Sequence, residues 1–224
     1  GETIHDRVGG SIVADSTILD EEDPDQAGMM DEMCILVDMD DNPIGSASKL
    51  DCHRGAGLRH RAFSVLIFDS DNRLLLQKRA GDKITFPGVW ANSCCSHPLD
   101  IDGEKETDNA IGVKNAAVRK MEQELGIPVG TIPVDNLQYV TRMEYMARMN
   151  EVWVEHEIDH IMIVRADVEV SPNPNEIEET KWVSKIELEK MASEHDSGNL
   201  VIAPWFDLIR VNLLENWWND IDDM

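Results

Sequence analysis

Runs of apolar residues separated by turn-forming clusters mark the first part of the folded chain. Segments 32–38 and 44–47 flank Asp40-Asp-Asn-Pro43, and segments 61–68 and 73–78 flank Asp69-Ser-Asp-Asn72. Asp, Asn, Ser and Pro favour tight turns because their side chains bond to the nearby backbone or fix its angles. The pattern therefore predicts two β-hairpins in succession.

A helical repeat replaces the strand pattern in the middle of the chain. Apolar residues recur there every three to four positions, at Ala110, Val113, Ala117, Met121 and Leu125. Asp108 is expected to cap the first turn, and Gly126 followed by Pro128 to end the helix. The segment from Asp108 to Leu125 is predicted to be one α-helix with an apolar stripe facing the core.

Strands return in the second half of the chain, and two helices follow them. Strands are predicted near 137–147, 154–165 and 179–183, a helix from Ser184 to about His195, and a last helix from Ala203 to Trp218. The last helix carries its apolar stripe on Trp205, Ile209, Leu213 and Trp217. The order of these elements predicts an α+β domain with a mixed sheet covered by helices.

The N-terminal segment differs from the rest of the chain. Residues 1–30 contain the acidic run Asp20-Glu-Glu-Asp-Pro-Asp25 and little apolar periodicity, which predicts a loosely ordered acidic arm. Residues 31–224 are expected to form a single folded domain, since a chain of this length can bury a substantial core without disulfides.

Charge and composition exclude several classes of partner. The formal net charge of −24 argues against a nucleic-acid partner, because binding to phosphate backbones needs clustered Lys and Arg. It predicts a solvated surface and, as a weaker alternative, adaptation to high salt. The longest apolar runs, such as 65–68 and 161–164, are too short to cross a bilayer. Four irregularly spaced cysteines and no secretory segment predict a cytoplasmic protein.

The stretch from Phe86 to Leu99 carries the densest chemistry. Pro98 biases His97 toward extended backbone angles. Side chains two apart in an extended chain share a face, so Cys95 and His97 should point together and Cys94 away from them. A thiol beside an imidazole predicts a nucleophile, an acid or a metal site. Buried cysteines with a hydrogen-bonded histidine are the structural alternative.

Other polar residues have both a chemical and a structural interpretation. His53 and His60 lie seven positions apart around a glycine-containing loop, and they could converge on one ion. Glu155 and Glu157 lie one pleat apart in a predicted strand, so their carboxylates face one way. Paired acids need solvent, a proton or a cation, and an exposed strand edge is the alternative.

One acidic and three basic residues complete the candidates. Glu124 lies beside the apolar stripe of the central helix and could hold magnesium, although a glutamate near a terminal glycine is commonplace. Lys49, Arg79 and Lys83 are candidate diphosphate contacts, and solvated side chains are the alternative for each.

Together these pieces closely resemble the type 1 isopentenyl-diphosphate isomerases, a metal-dependent family of isoprenoid synthesis. The matching motifs run in family order from about Met33 to Trp218. They are Lys49, Cys52-His53, His60-Arg-Ala-Phe63, Arg79, Lys83, Phe86-Pro-Gly88, Asn92-Ser-Cys-Cys-Ser-His-Pro-Leu99, Glu124-Leu-Gly126, Tyr145, Trp153-Val-Glu-His-Glu-Ile158, Asn173-Pro-Asn-Glu176 and Pro204-Trp-Phe206. The family fold is a Nudix-like α/β/α sandwich with a mixed sheet, in agreement with the pattern above.

The resemblance implies a reaction and a set of site residues. The reaction interconverts isopentenyl and dimethylallyl diphosphate by protonation and deprotonation. The implied roles are Cys95 and Glu157 as the catalytic acid/base pair, with Tyr145 as a further catalytic residue, and Lys49, Arg79, Lys83 and Trp205 as substrate contacts. The implied metal ligands are His53, His60, His97, Glu155 and Glu157 for a divalent metal, and Glu124 for a magnesium ion on the diphosphate. Imidazoles and carboxylates suit manganese, zinc or magnesium.

One departure bears on the alternatives. The Nudix hydrolase box, G-x5-E-x7-R-E-U-x-E-E-x-G-U, aligns its last part on Arg119 to Ile127, where two of its acidic positions are Lys120 and Gln123. Only Glu124 survives of the carboxylates that would gather hydrolytic metals. A Nudix-type diphosphohydrolase and a metal-stabilised binding protein are kept as alternatives. The expected partner is a small prenyl diphosphate, with no nucleic acid and no membrane, for a monomer or weak homodimer.

Overall fold

The computed structural model describes residues 18–223. Its helices are α1 Pro24–Met29, α2 Lys49–Cys52, α3 Ile111–Leu125, α4 Lys185–Asp196, α5 Pro204–Ile209 and α6 Glu215–Asn219. Its strands are β1 Met33–Val37, β2 Pro43–Ser48, β3 His60–Phe68, β4 Leu74–Arg79, β5 Trp90–Ala91, β6 Cys94–Ser96, β7 Gln138–Arg148, β8 Val154–Arg165 and β9 Ile177–Val183. The nine strands form one mixed sheet.

Strand β3 is the centre of the sheet, and all its residues are buried. It pairs in parallel with β8, where His60 lies opposite Glu157, and antiparallel with β6, where Ser64 lies opposite Cys95. A strand covered on both faces has no polar side, which explains the nearly continuous apolar run of β3. The fold therefore sets β6 and β8 on either side of one rigid strand.

The core has two layers, one on each face of the sheet. Val65 and Ile67 pack in the cluster that contains α3, whereas Leu66 and Phe68 pack with α4 to α6. This alternation follows from the period of two in a strand. The helix–sheet–helix arrangement agrees with the predicted α/β/α sandwich.

The first predicted hairpin is confirmed, and the second is confirmed only at its turn. Strands β1 and β2 pair antiparallel from Met33↔Ser48 onward. Strands β3 and β4 pair at Phe68↔Leu74 alone, because β6 and β8 occupy the remaining edges of β3. Strand β4 instead pairs along its length with β9.

The central helix starts later than predicted. Residues 108–110 form a separate 3₁₀ turn, and α3 begins after Ala110, which has a φ of +56° and no capping side chain. The expected cap at Asp108 is therefore wrong. The predicted stop at Gly126 is correct: its φ is +66°, and a Cβ there would lie 2.4 Å from the carbonyl oxygen of Ser171.

The last helix contains a feature that its sequence did not predict. A π-helical segment, Arg210–Leu214, separates α5 from α6. The wider turn moves the buried stripe on by one residue, so Leu214 and Trp218 are buried where Leu213 and Trp217 were expected. Helix α4 begins as predicted, with Ser184 and Glu187 forming a reciprocal capping box.

The predicted acidic arm lies partly outside the described residues, since its residues 1–17 are not among them. In its described part, Asp23 caps α1, and Met30 is buried against Ile84 and Trp153. Ordered structure therefore begins before the predicted boundary at residue 31. Within residues 18–223, no helix combines the length and hydrophobicity that a bilayer span needs.

Candidate active site

One cavity collects most of the side chains that the sequence singled out. The lining residues include Lys49, Arg79, Lys83, Cys95, His97, Glu124, Tyr145, Glu155, Glu157 and Trp205. His53 and His60, the two remaining candidates, lie behind the cavity wall and point their Nε2 atoms at Glu157. Residues from distant parts of the chain thus meet at one place, which no spacing in the sequence could establish.

Two buried histidines direct a ring nitrogen at Glu157. His53 Nδ1 lies 2.7 Å from the carbonyl oxygen of Lys49, and His60 Nδ1 lies 2.7 Å from that of Leu58. A carbonyl only accepts, so each Nδ1 carries a proton, and in the neutral ring each Nε2 then presents a lone pair. Among the described residues, neither Nε2 has a hydrogen-bond partner, although both are fully buried.

The free nitrogens converge with a third histidine and a carboxylate. His97 Nε2 lies 2.8 Å from Glu157 Oε1, and the distances from His60 Nε2 and His53 Nε2 to the same oxygen are 3.4 and 3.9 Å. One donor atom from each of the four residues lies within 4.8 Å of the others.

These four residues fit a divalent cation. A buried nitrogen without a partner costs about 1–3 kcal/mol, and an ion bound between the two lone pairs removes that cost. Three imidazoles and one carboxylate are the donors expected for zinc or manganese. Glu155, the fifth predicted ligand, is not one of the four converging residues.

Strand β8 presents three acids to the cavity, one at every second position. Tyr145 Oη lies 2.5 Å from Glu157 Oε2 and 2.9 Å from Glu155 Oε2. Burial, with repulsion from Glu157, raises the pKa of Glu155 to about 7. Asp159 accepts a hydrogen bond of 2.8 Å from Ser64, and burial raises its pKa to about 8. No role was predicted for Asp159, although its spacing from Glu157 placed it on the same face.

Cys95 and Cys94 face opposite sides of the sheet, as an extended backbone requires. Cys95 lines the cavity, and burial raises the pKa of its thiol to about 12 against the lowering effect of Arg79. Cys94 is fully buried in the layer that contains α3, with its Sγ 3.7 Å from Glu124 Oε2. Cys95 is therefore a neutral thiol open to the cavity, and Cys94 belongs to the core.

Glu124 has a cation of its own. Lys120, one turn earlier on α3, is 2% exposed and places its Nζ 3.2 Å from Glu124 Oε1. Burial alone would lower the pKa of Lys120, but attraction by Glu124 and Glu176 outweighs it and raises the pKa. Lys120 thus occupies a position that is acidic in the Nudix box. The charge around Glu124 is therefore less negative than it would be if all four Glu positions of the box were filled.

The three predicted diphosphate contacts are buried at one end of the cavity. Arg79 donates to the carbonyl oxygens of Phe86 and Thr85, at 3.0 and 2.8 Å. Lys83 Nζ lies 2.5 Å from Glu176 Oε2, and both side chains are buried. Glu176 belongs to a motif that the sequence had marked without assigning it a role.

Aromatic side chains form the apolar wall. Trp205 donates its indole N–H to Asn92 Oδ1 at 3.1 Å, and its ring lies 6.3 Å from that of Tyr145 and 5.7 Å from that of Phe86. The guanidinium carbon of Arg79 lies 5.5 Å from the same indole ring. Trp205 therefore joins the cationic end of the cavity to its aromatic wall.

Known proteins resemble this chain over most of its length. The NUDIX domain family matches residues 58–206. The chain is 45% identical to isopentenyl-diphosphate delta-isomerase 1 of Mus musculus over 206 residues, which cover 90% of the chain and 91% of the relative. It is 48% identical to isopentenyl-diphosphate delta-isomerase idi1 of Aspergillus fumigatus over 220 residues, which cover 92% of the chain and 78% of the relative.

A solved structure from Deinococcus radiodurans shares the fold. It has a TM-score of 0.56 and 18% sequence identity, and the match covers 81% of this chain and 99% of that protein.

Proposed function

The chain belongs to the Nudix family and, within it, to the isopentenyl-diphosphate delta-isomerases, and from that premise we propose that it converts isopentenyl diphosphate into dimethylallyl diphosphate. The observation that carries the proposal is the cavity itself. It holds a thiol from β6 and a carboxylate from β8, the two strands that flank β3, with buried cations at one end.

The reaction needs two proton transfers and no redox cofactor. A proton is added to one carbon of the alkene, and another leaves a carbon two positions away. Cys95 and Glu157 carry out these transfers from opposite sides of the substrate, and Tyr145 hydrogen-bonds to Glu157. An unactivated alkene is a poor base, so the acid must be held close to the carbon that it protonates.

A divalent cation, zinc, manganese or magnesium, would be held by His53, His60, His97 and Glu157. When bound, it supplies positive charge that fixes the Glu157 carboxylate and favours its ionised form. Glu155 is proposed as a fifth ligand from the resemblance, and its hydrogen bond to Tyr145 keeps it beside this group. Glu124 is proposed as the protein ligand of a magnesium ion that accompanies the diphosphate.

The remaining residues bind the substrate. Lys49, Arg79 and Lys83 contact the diphosphate, since they are the cations that line the cavity. Trp205 and Tyr145 contact the hydrocarbon and lie beside the carbon that becomes electron-deficient. An aromatic face stabilises such a cation by about 0.5–2 kcal/mol where water is excluded.

The test is to incubate the purified protein with isopentenyl diphosphate and magnesium in heavy water and to follow the products by NMR. Dimethylallyl diphosphate carrying solvent deuterium is the expected product, because the proton added to the alkene comes from a protein group that exchanges with solvent, whereas the other proton leaves the substrate. The absence of conversion across magnesium, manganese and zinc would contradict the proposal.

The same samples separate the two alternatives. Release of phosphate from nucleoside diphosphate derivatives would indicate a hydrolase. The Lys120–Glu124 ion pair argues against that activity, because it places a lysine at an acidic position of the Nudix box. Unfolding on chelation without any binding of prenyl diphosphate would indicate a metal-stabilised binding protein. A monomeric or weakly dimeric state, a cytoplasmic location and the lack of a nucleic-acid partner stay predictions from the sequence.

A further inference from the structure

Glu176 is a buried carboxylate at the cationic end of the cavity, and the proposed reaction does not use it. We infer that Glu176 is a positioning residue that holds the Lys83 ammonium where the diphosphate of the substrate binds. The inference rests on the proposed function, because it takes the ligand of Lys83 to be a diphosphate.

The contact between the two residues is direct and shielded from solvent. Lys83 Nζ lies 2.5 Å from Glu176 Oε2, and the side chains are 8% and 2% exposed. A lysine side chain has four rotatable bonds and rests in one geometry only where a partner fixes its end. Removing one partner of a buried pair leaves the other charge uncompensated. Glu176 therefore decides both where the ammonium lies and whether it stays charged.

Glu176 itself is fixed by backbone contacts to the elements that carry the site. Its carbonyl oxygen accepts from Ala80 N at 3.0 Å, directly after β4, and its N–H donates to Asn173 O at 2.9 Å. Asn173 N in turn donates to Glu124 O at 2.9 Å. The turn from Asn173 to Glu176 thus joins the end of β4 to the end of α3, so the carboxylate cannot shift independently of the cavity.

Helix α1 completes the support from the other side. Gln26 Nε2 donates to Asn175 Oδ1 at 2.7 Å and lies 3.4 Å from Glu176 Oε1. Asn175 Nδ2 donates to Asp23 Oδ1, the capping oxygen of α1, at 2.8 Å. One oxygen of Glu176 therefore faces Gln26, and the other is directed at Lys83.

The surrounding charges explain why Lys83 needs this partner. Burial, with repulsion from Arg79 and Lys49, lowers the pKa of Lys83 to about 8, and attraction by Glu176 and Glu124 limits the fall. Burial alone would raise the pKa of Glu176, but Lys83 and Lys120 outweigh it and lower the pKa to about 2. Without Glu176, the repulsion of Lys83 by Arg79 and Lys49 would be offset mainly by attraction from Glu124.

The experiment measures binding of inorganic pyrophosphate in magnesium buffer by calorimetry between pH 6.5 and pH 9. It compares the wild-type protein with Glu176→Gln, Glu176→Asp and Glu178→Gln. Glu178 is the matched control, since it lies two residues further on and its side chain is half exposed and paired with Lys78 at 2.8 Å. We expect Glu176→Gln to weaken binding about tenfold at pH 8.5 and less at pH 6.5, because a deprotonated lysine loses its charge. Glu178→Gln should bind like the wild type.

A double-mutant cycle shows whether Glu176 acts through Lys83. In a Lys83→Gln background, Glu176→Gln should cause no further loss of pyrophosphate binding. Glu176→Asp keeps the charge and should retain the wild-type pH dependence even if its affinity falls. It also serves as the folded variant if Glu176→Gln does not fold.

The outcomes are distinct. Equal affinity and equal pH dependence in Glu176→Gln and the wild type would overturn the inference, and so would additive losses in the cycle or no pyrophosphate binding by the wild type. The proposed isomerase activity is tested separately with isopentenyl diphosphate. Its failure, with the Glu176 effect on pyrophosphate intact, would refute the reaction and leave the positioning role standing.

Discussion

The hydroxyl of Tyr145 lies 2.5 Å from Glu157 Oε2, deep in a cavity where both side chains are buried. The same hydroxyl lies 2.9 Å from Glu155 Oε2, and it has one proton to donate to the two carboxylates. The Tyr145 hydroxyl therefore links Glu157, which is proposed to transfer a proton, to Glu155, whose pKa is raised by burial.

Replacing Tyr145 by Phe tests this link. We expect turnover of isopentenyl diphosphate to fall by about 10²-fold or more, as for the loss of a positioned proton donor. The fold should remain, because the ring still packs against Trp205. Tyr139→Phe is the control, since Tyr139 is the other tyrosine of the chain, lies on the same strand and is 38% exposed. Wild-type turnover in Tyr145→Phe would exclude a role for the hydroxyl.

The two adjacent cysteines give opposite predictions. Cys95→Ser and Glu157→Gln should each lower turnover by orders of magnitude, because each removes a proposed proton carrier. Cys94→Ala should keep most activity and lose about 1 kcal/mol of stability from the emptied core volume. Steady-state kinetics and urea unfolding measure the two effects. A fully active Cys95→Ala protein, or equal losses in Cys94→Ala and Cys95→Ala, would end the assignment.

The histidine cluster predicts that a metal stabilises the fold. Treatment with a chelator should lower the melting temperature and abolish turnover, and added zinc or manganese should restore both, because an ion that binds only the native state stabilises it. In His60→Ala, added zinc or manganese should restore the melting temperature and turnover less fully than in the wild type. His156→Ala is the control, since His156 lies on β8 but faces away and contacts Glu144 at 3.1 Å. A melting temperature independent of metal would contradict a site made of these four residues.

Lys83 predicts a loss of diphosphate binding at alkaline pH. Its pKa of about 8 means that the ammonium is charged below pH 8 and loses its proton as the pH rises past that value. Pyrophosphate affinity should therefore fall above pH 8 in the wild type. Lys83→Arg stays charged and should keep its affinity to higher pH. Taking the ratio of the two affinities cancels the ionisation of pyrophosphate, and a ratio that does not change with pH would refute the prediction.

The sequence predicted the elements whose pattern is local. The bounds of β8, the turn between β1 and β2, and the capping box at Ser184 all depend on residues within a few positions of one another. The start of α3 after the left-handed Ala110 and the π-helical segment do not follow from the local preferences of the residues that form them. Hence Asp108 was misassigned as a cap, and the buried stripe shifted to Leu214 and Trp218.

The candidate site was predictable as a set of residues and not as a geometry. Motif resemblance brought His60 and Glu157 into one list, but the pairing of β3 with β8 is what brings them together. Asp159, Lys120 and Glu176 were missed as site residues for the same reason. A buried carboxylate or ammonium group is recognisable only when its partner from another element is known.

The parallel pairing of β3 with β8 also governs when the site can form. His53 and Glu157 are separated by nearly half of the chain, and both β6 and α3 must be made before β8 can pair with β3. Long-range pairings of this kind close a large loop before they gain contacts, and they slow folding. During synthesis, three of the four candidate metal ligands emerge well before the fourth. The proposed metal site is therefore a late product of folding, and a metal bound there would report that β3 and β8 have paired.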